Sequence, residues 1–123
     1  NWVYELIKPH LNHAIEYAGW DFEISTAEPY QVAKSEVGEF HNWHQDGVGP
    51  IHTGEPQTRK ISMSLLLNDG YEGGELEVFP HGPMNLSKGT IVFFPSFQTH
   101  QVHPVTKGTR YSLVMWFIGN PWR

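Results

Sequence analysis

The stretch "TIVFFPSFQTHQVHPVTKGTRYSLVMWFIG" occupies residues 90–119, and its apolar runs broken by turn residues decide the fold. Ile91 to Phe94 form a short continuous apolar run closed by Pro95, the pattern of a buried strand. Arg110 to Gly119 is a longer run. On a pleated strand alternate residues share a face. Arg110, Ser112, Val114 and Trp116 therefore point one way, and Tyr111, Leu113, Met115 and Phe117 the other. Both faces carry apolar bulk, so both are expected to be covered. Between these runs lies "HQVHPV", and the "TKG" that follows reads as a hairpin turn. That reading sets the Arg110 strand antiparallel beside the His100 strand.

Upstream the pattern repeats. "RKISMSLLLND" puts Ile61, Met63, Leu65 and Leu67 on one face and Ser62 and Ser64 on the other. "DGYEGGELEVF" is a turn feeding a short strand, and "HGPMNLSKG" is a turn-rich connector. Only the opening differs. "NWVYELIKPHLNHAIEYAGWDF" spaces Trp2, Leu6, Ile7, Leu11 and Ile15 at near-helical intervals, with Gly19 as a stop. Pro9 either kinks one helix or opens a second at its first turn. A helical preface followed by many short strands predicts a mainly β sandwich or barrel, with a jelly roll first among them. The chain is expected to be one catalytic domain over 1–123, with 1–20 as helical support and 29–119 as the β core.

Composition narrows the chemistry. With 123 residues, 39% of them hydrophobic and 17% charged, the chain has the make-up of a globular domain. A net charge of -5 gives no basic field for nucleic acid or an anionic membrane. No apolar run approaches the length of a membrane span, and no signal-type segment opens the chain. Cysteine is absent, which removes disulfides, thiolate metal sites and cysteine nucleophiles together. These features lead us to expect a cytoplasmic protein with no membrane or nucleic-acid partner. The chain opens at Asn1, not at methionine, so some residues are expected to precede it. Imidazole and carboxylate are left to carry any chemistry, and six of the eight histidines fall between His41 and His103.

"EFHNWHQDGVGP", residues 39–50, holds His44 and Asp46. On a strand, positions i and i+2 face the same side, so both could reach one Fe(II), Mn(II) or Zn(II) ion. The alternative is polar punctuation at a solvated strand end. A third ligand would come from His100 or His103. Two histidines and one carboxylate on one triangular face form the donor set of non-haem iron oxygenases. Arg110 stands among apolar residues and needs an anion, because a guanidinium does not give up its charge. Its partner is either one of the thirteen Asp/Glu residues or a bound carboxylate, for which its fork is well shaped. Ser112, one pleat along, could add a hydrogen bond.

Four stretches together resemble the iron(II)- and 2-oxoglutarate-dependent dioxygenases, in particular their prolyl 4-hydroxylase-like and PKHD-type hydroxylase branch. They are "PYQVAKSEVGEFHNWHQDG", "RKISMSLLLND", "YEGGELEVF" and "KGTIVFFPSFQTHQVHPVTKGTRYSLVMWFIG", and they span about residues 29–119. The last is the most specific, with Gly-Thr, Phe-Pro-Ser and then His-x-Val-x-Pro-Val-x-x-Gly-x-Arg. The resemblance implies a double-stranded β-helix, a cupin-like jelly roll, with the N-terminal helix packed on one sheet. It implies Fe(II) held by His44, Asp46 and His100, 2-oxoglutarate as cosubstrate with its distal carboxylate on Arg110, and O2. It implies hydroxylation of an unactivated C–H, first of all in a prolyl residue of a peptide or protein, with release of succinate and CO2. A small-molecule substrate is the second option.

The pattern departs from many relatives at His41 and near Lys34 and Ser35, where those relatives carry tyrosines that help hold the cosubstrate. His41, three residues before His44, is expected to face away from the metal. His103 is expected on the strand surface. Trp116 and Trp43 are the candidates for a substrate pocket, and residues 46–58, which include His52, for a lid. Two other readings stay open: a cupin-like metalloenzyme that does not use 2-oxoglutarate, and a non-catalytic jelly-roll binding module. Oligomeric state leaves no readable mark.

Overall fold

The structure is a computed structural model that describes residues 2–20, 24, 26–46 and 58–119. Residues 47–57 of the proposed lid, His52 included, lie outside the described residues. One helix, α1 (Trp2–Ala18), precedes the strands. Pro9 sits inside it without ending it, so neither a break nor a second helix forms there. The helix stops at Gly19, whose φ of 70° is the left-handed turn a glycine makes freely. Trp20 N–H bonds the Ile15 carbonyl and Gly19 N–H the Glu16 carbonyl, which closes the last turn as a Schellman motif.

Among the described residues eleven strands follow: β1 (Thr26–Ala27), β2 (Gln31–Ser35), β3 (His41–His44), β4 (Thr58–Leu66), β5 (Glu72–Gly73), β6 (Leu76–Val78), β7 (Pro83–Met84), β8 (Ile91–Pro95), β9 (His100–Val102), β10 (Val105–Lys107) and β11 (Arg110–Gly119). A five-stranded sheet runs β1-β11-β4-β8, with β2 also on β11; a four-stranded sheet runs β3-β9-β6-β7; β10 pairs with β5 alone. From β7 onward, consecutive strands lie in different sheets. This corrects one expectation: "TKG" does not return β11 alongside the His100 strand. β9 bonds β3 and β6, whereas β11 bonds β1, β2 and β4. Gly108, at φ 76°, lets the chain cross to the five-stranded sheet at that turn. Arg110 therefore faces the His100 strand across the sandwich.

The five-stranded sheet is covered on both faces, as the lack of a polar face on β11 requires. On one side Val3, Ile7 and Leu11 of α1, at i, i+4 and i+8, pack with Ile61, Met63, Met115 and Phe117. Leu6, expected on the apolar stripe, is exposed instead, because the buried face runs through Val3. On the other side Ser62, Ser64, Arg110, Ser112, Val114 and Trp116 line a cavity closed by residues of the four-stranded sheet. Leu76, Val78 and Phe94 form a second small core beside it. Among the described residues no helix is long and apolar enough to cross a membrane.

Candidate metal centre

Strand pairing brings the three chemical groups together. His44 closes β3 opposite His100, the first residue of β9, and Val78 of β6 lies on the far side of His100. The two imidazole centroids are 4.2 Å apart. Asp46 is not on the strand, as the i, i+2 reading assumed, but in the bend just past it. Its backbone N–H donates to the Ser96 carbonyl at 3.0 Å, and this bond turns the carboxylate inward. Ligand atoms of His44, Asp46 and His100 all lie within 4.8 Å of one another. Nε2 of each histidine is 3.4 Å from an Asp46 oxygen, His44 from Oδ1 and His100 from Oδ2.

Both rings are aimed. His44 Nδ1 is 2.6 Å from the Asn42 carbonyl, and His100 Nδ1 is 2.9 Å from the Gln98 carbonyl. A carbonyl only accepts, so each Nδ1 must carry the proton, and in the neutral rings each Nε2 presents its lone pair to the centre. Burial alone would raise the Asp46 pKa. Without a metal, hydrogen bonds from the protonated form of His100, through Nε2–H, and from Ser62 and Trp116 outweigh burial and hold it well below the usual carboxylate range. Burial alone would lower the His100 pKa, but the bond to Asp46 and the Gln98 carbonyl raise it. A permanent carboxylate thus sits between two imidazoles, the donor set of a two-histidine, one-carboxylate metal site.

Arg110 opens β11 opposite Ser35 of β2 and is 4% exposed. Its Nη1 donates to Ser112 Oγ at 3.3 Å, while Nε is buried with no hydrogen-bond partner among the described residues. No carboxylate pairs with it in that set; the arginine that has one is Arg59, bound to Glu28. His44, Asp46, His100, Arg110 and Ser112 all line one cavity of about 210 Å³. A buried cation with an unused donor, beside a cavity holding three metal-ligating groups, matches a small bound carboxylate.

Other sequence expectations divide. His103 is paired with Glu77 at 2.7 Å and is not part of the cluster. His41 was expected to face away but lines the cavity, because the β3–β9 register shifts between His41 and His44. Trp43 is 45% exposed and meets Phe79 edge-on, away from the cavity lining. One-residue alternation from the inward-facing His44 turns it outward. Trp116 lines the cavity, but its Nε1–H is spent on Asp46 Oδ2 at 3.0 Å.

Sequence reasoning missed Ser62 and Ser96, both buried, whose hydroxyls are 3.0 Å apart behind Asp46. Their signal was present. For Ser62 it is alternation, since small polar residues alternating with apolar ones on a strand covered on both sides mark a cavity wall; for Ser96, just past β8, it is the Pro-Ser turn. Gly74 was also missed. A β-carbon there would lie 2.9 Å from Arg110 Cδ, so this glycine leaves space for the arginine stem.

Comparisons with known proteins bear on the family and the fold. The family model described as the 2OG-Fe(II) oxygenase superfamily matches residues 30–118. A PKHD-type hydroxylase of Xylella fastidiosa (strain M12) is 36% identical over 87 residues, which cover 62% of this chain and 38% of that protein. The chain therefore spans about two fifths of the length of such curated relatives. Among solved structures, the viral collagen prolyl hydroxylase of Paramecium Bursaria Chlorella virus-1, a 2OG complex, superposes with a TM-score of 0.73 at 20% identity. That match covers 97% of this chain and 73% of the viral one, and it speaks for the fold. A Pseudomonas putida prolyl-4-hydroxylase gives a TM-score of 0.69 at 28% identity, covering 93% of this chain and 62% of that one.

Proposed function

The chain belongs to the 2OG-Fe(II) oxygenase superfamily, and from that premise we propose that it hydroxylates an unactivated C–H bond, in a prolyl residue of a peptide or protein, consuming 2-oxoglutarate and O2 and releasing succinate and CO2. His44, Asp46 and His100 hold the Fe(II), and Arg110 grips the distal carboxylate of 2-oxoglutarate. One observation carries the reading: the aimed donor set and a buried guanidinium without an acid partner among the described residues line the same cavity. Two neutral imidazoles and one carboxylate suit a ferrous ion and leave positions for a chelating cosubstrate. The unused Arg110 Nε and the adjacent Nη groups suit a carboxylate.

When bound, the iron would serve to activate O2, the oxidant for C–H cleavage. The chain's residues supply geometry. The Asn42 and Gln98 carbonyls fix which ring nitrogens are free. Ser112 accepts from Arg110 Nη1, so its own hydroxyl proton remains available to the bound carboxylate. Where relatives carry tyrosines, Ser35 and His41 line the cavity here. The prolyl substrate rests on likeness to the proteins named above, among them a collagen prolyl hydroxylase and a prolyl-4-hydroxylase.

Titrating 2-oxoglutarate into Mn(II)-loaded protein tests the site, with metal-dependent binding expected. Binding without metal, or none with it, would return the chain to a cupin-like metalloenzyme or a binding module. Proline-containing peptides incubated with Fe(II), 2-oxoglutarate and O2 should gain one oxygen atom in mass, with matching succinate.

A further inference from the structure

Trp116 does more than line the cavity. Asp46 lies beyond the end of β3, so no strand ladder sets the direction of its carboxylate. The backbone bond to Ser96 turns it inward, and side-chain donors fix its rotation. Oδ2 accepts Ser62 Oγ–H at 2.6 Å and Trp116 Nε1–H at 3.0 Å. These two donors are direct cross-strand partners, Ser62 on β4 opposite Trp116 on β11, both on the cavity face. Because the single Ser62 hydroxyl proton goes to Asp46, Ser62 Oγ must accept from Ser96 Oγ–H at 3.0 Å. The same Ser96 takes the Asp46 backbone N–H on its carbonyl. An sp² oxygen with two donors has little capacity left, so Oδ1, on the His44 side, is the oxygen free to ligate.

The indole is itself held. The Arg59 guanidinium carbon lies 4.0 Å from the Trp116 ring centroid. Glu28 grips Arg59 with two oxygens, at 2.5 Å to Nε and 3.0 Å to Nη2, and its backbone N–H bonds the Trp116 carbonyl at 2.9 Å. A cation over the ring face draws density from the indole and makes its N–H a stronger donor. Indole N–H donates only; it neither accepts nor competes for a metal.

On the reading that His44, Asp46 and His100 hold the iron, we infer that Trp116 is a positioning residue that restricts Asp46 to one-oxygen ligation, and that the Glu28–Arg59 pair sets its strength. A carboxylate that bound through both oxygens would occupy a position the cosubstrate needs; the two donors on Oδ2 prevent that.

The test measures Mn(II) affinity by electron paramagnetic resonance, and the visible absorption of the Co(II) form, for wild type, Trp116→Phe, Arg59→Met and Arg59→Lys. Near-ultraviolet circular dichroism without metal checks folding. Trp116→Phe should weaken Mn(II) binding by about tenfold or more and change the Co(II) spectrum as the carboxylate's second oxygen is released. Arg59→Met should shift both in the same direction by less, and Arg59→Lys should restore much of the loss. If Trp116→Phe does not fold, Arg59→Met decides, since it leaves the indole in place. Wild type, Trp116→Phe and Arg59→Met agreeing within about twofold, with unchanged Co(II) spectra, would overturn the inference and leave the metal site standing. Wild-type protein that binds no Mn(II) would overturn the metal-site reading itself.

Discussion

Arg110 and Gly74 make the cosubstrate half of the site a matter of individual atoms. Arg110 holds a forked charge in a buried place, with Ser112 on one nitrogen and Nε unused. Arg110→Lys keeps the charge and loses the fork. It should raise the 2-oxoglutarate concentration needed for binding by roughly 10- to 100-fold, the loss of one charge-assisted hydrogen bond, while Mn(II) affinity stays put. Calorimetric titration of the Mn(II) form checks both, and an unchanged 2-oxoglutarate affinity would remove Arg110 from the role. Gly74 gives an independent test. It sits at φ 66°, and an added β-carbon would meet Arg110 Cδ at 2.9 Å and Val105 Cγ2 at 3.2 Å. Gly74→Ala should therefore push the guanidinium out of line and weaken 2-oxoglutarate binding. Gly82→Ala is the matched control: its φ is 82°, with nothing within 4 Å of the new atom. Both should lose about 1–2 kcal/mol to the left-handed backbone; only Gly74→Ala should also lose cosubstrate, read by the same titration.

At the scale of strands, β6 and β9 carry a second polar cluster, on the opposite face from His100. Glu77 accepts from Gln101 Nε2 at 3.0 Å and sits 2.7 Å from His103 Nε2. The bond with His103 holds the Glu77 pKa below its ordinary value. A carboxyl depressed in the folded state contributes stability that is fully present above its unfolded pKa and is lost as pH falls through the folded one. Relative to Glu77→Gln, wild type should be the more stable at neutral pH, and the gap should close as pH drops below about 4. Urea midpoints across that range check it; a gap constant with pH would rule out the carboxylate as the cause. The cluster also shows how legible the elements were. Alternation alone placed Arg110, Ser112, Val114 and Trp116 on one face of β11, and the cavity is lined by all four. It failed for His41, where a register shift in β3 breaks the period, and for Asp46, which left the strand altogether. Periodicity reads regular backbone, and the site uses irregular backbone to aim its ligands. Alternation already favoured Trp116 over Trp43, because it shares a face with Arg110, and the cavity lining includes Trp116 and not Trp43.

For the molecule as a whole, the five-stranded sheet divides support from chemistry. Leu11, 2% exposed, locks α1 against Met63, Met115 and Phe117, while the opposite face of the same strands carries Ser62, Arg110, Ser112 and Trp116. The sequence showed that β11 must be covered twice, but it paired β9 with β11, because a hairpin turn and a crossover between sheets use the same Thr-Lys-Gly residues. The crossover is what places His100 and Arg110 on facing sheets, with room for a ligand between them. This arrangement predicts that the helix stabilises the site without shaping it. Leu11→Ala should cost about 2–5 kcal/mol in urea unfolding, as truncating a buried leucine does. At low temperature, where the variant remains folded, its Mn(II) affinity should equal that of wild type. Saturating Mn(II) should then raise the unfolding free energy of both proteins by the same amount, about 2.7 kcal/mol at 100 times the dissociation constant, because linkage depends only on the folded site. Asp46→Ala should lose that increment while its metal-free stability is compared directly with wild type. A Leu11→Ala variant that folds but binds Mn(II) tenfold more weakly would show that the helix reaches through the sheet to the ligands, and that the two faces are coupled.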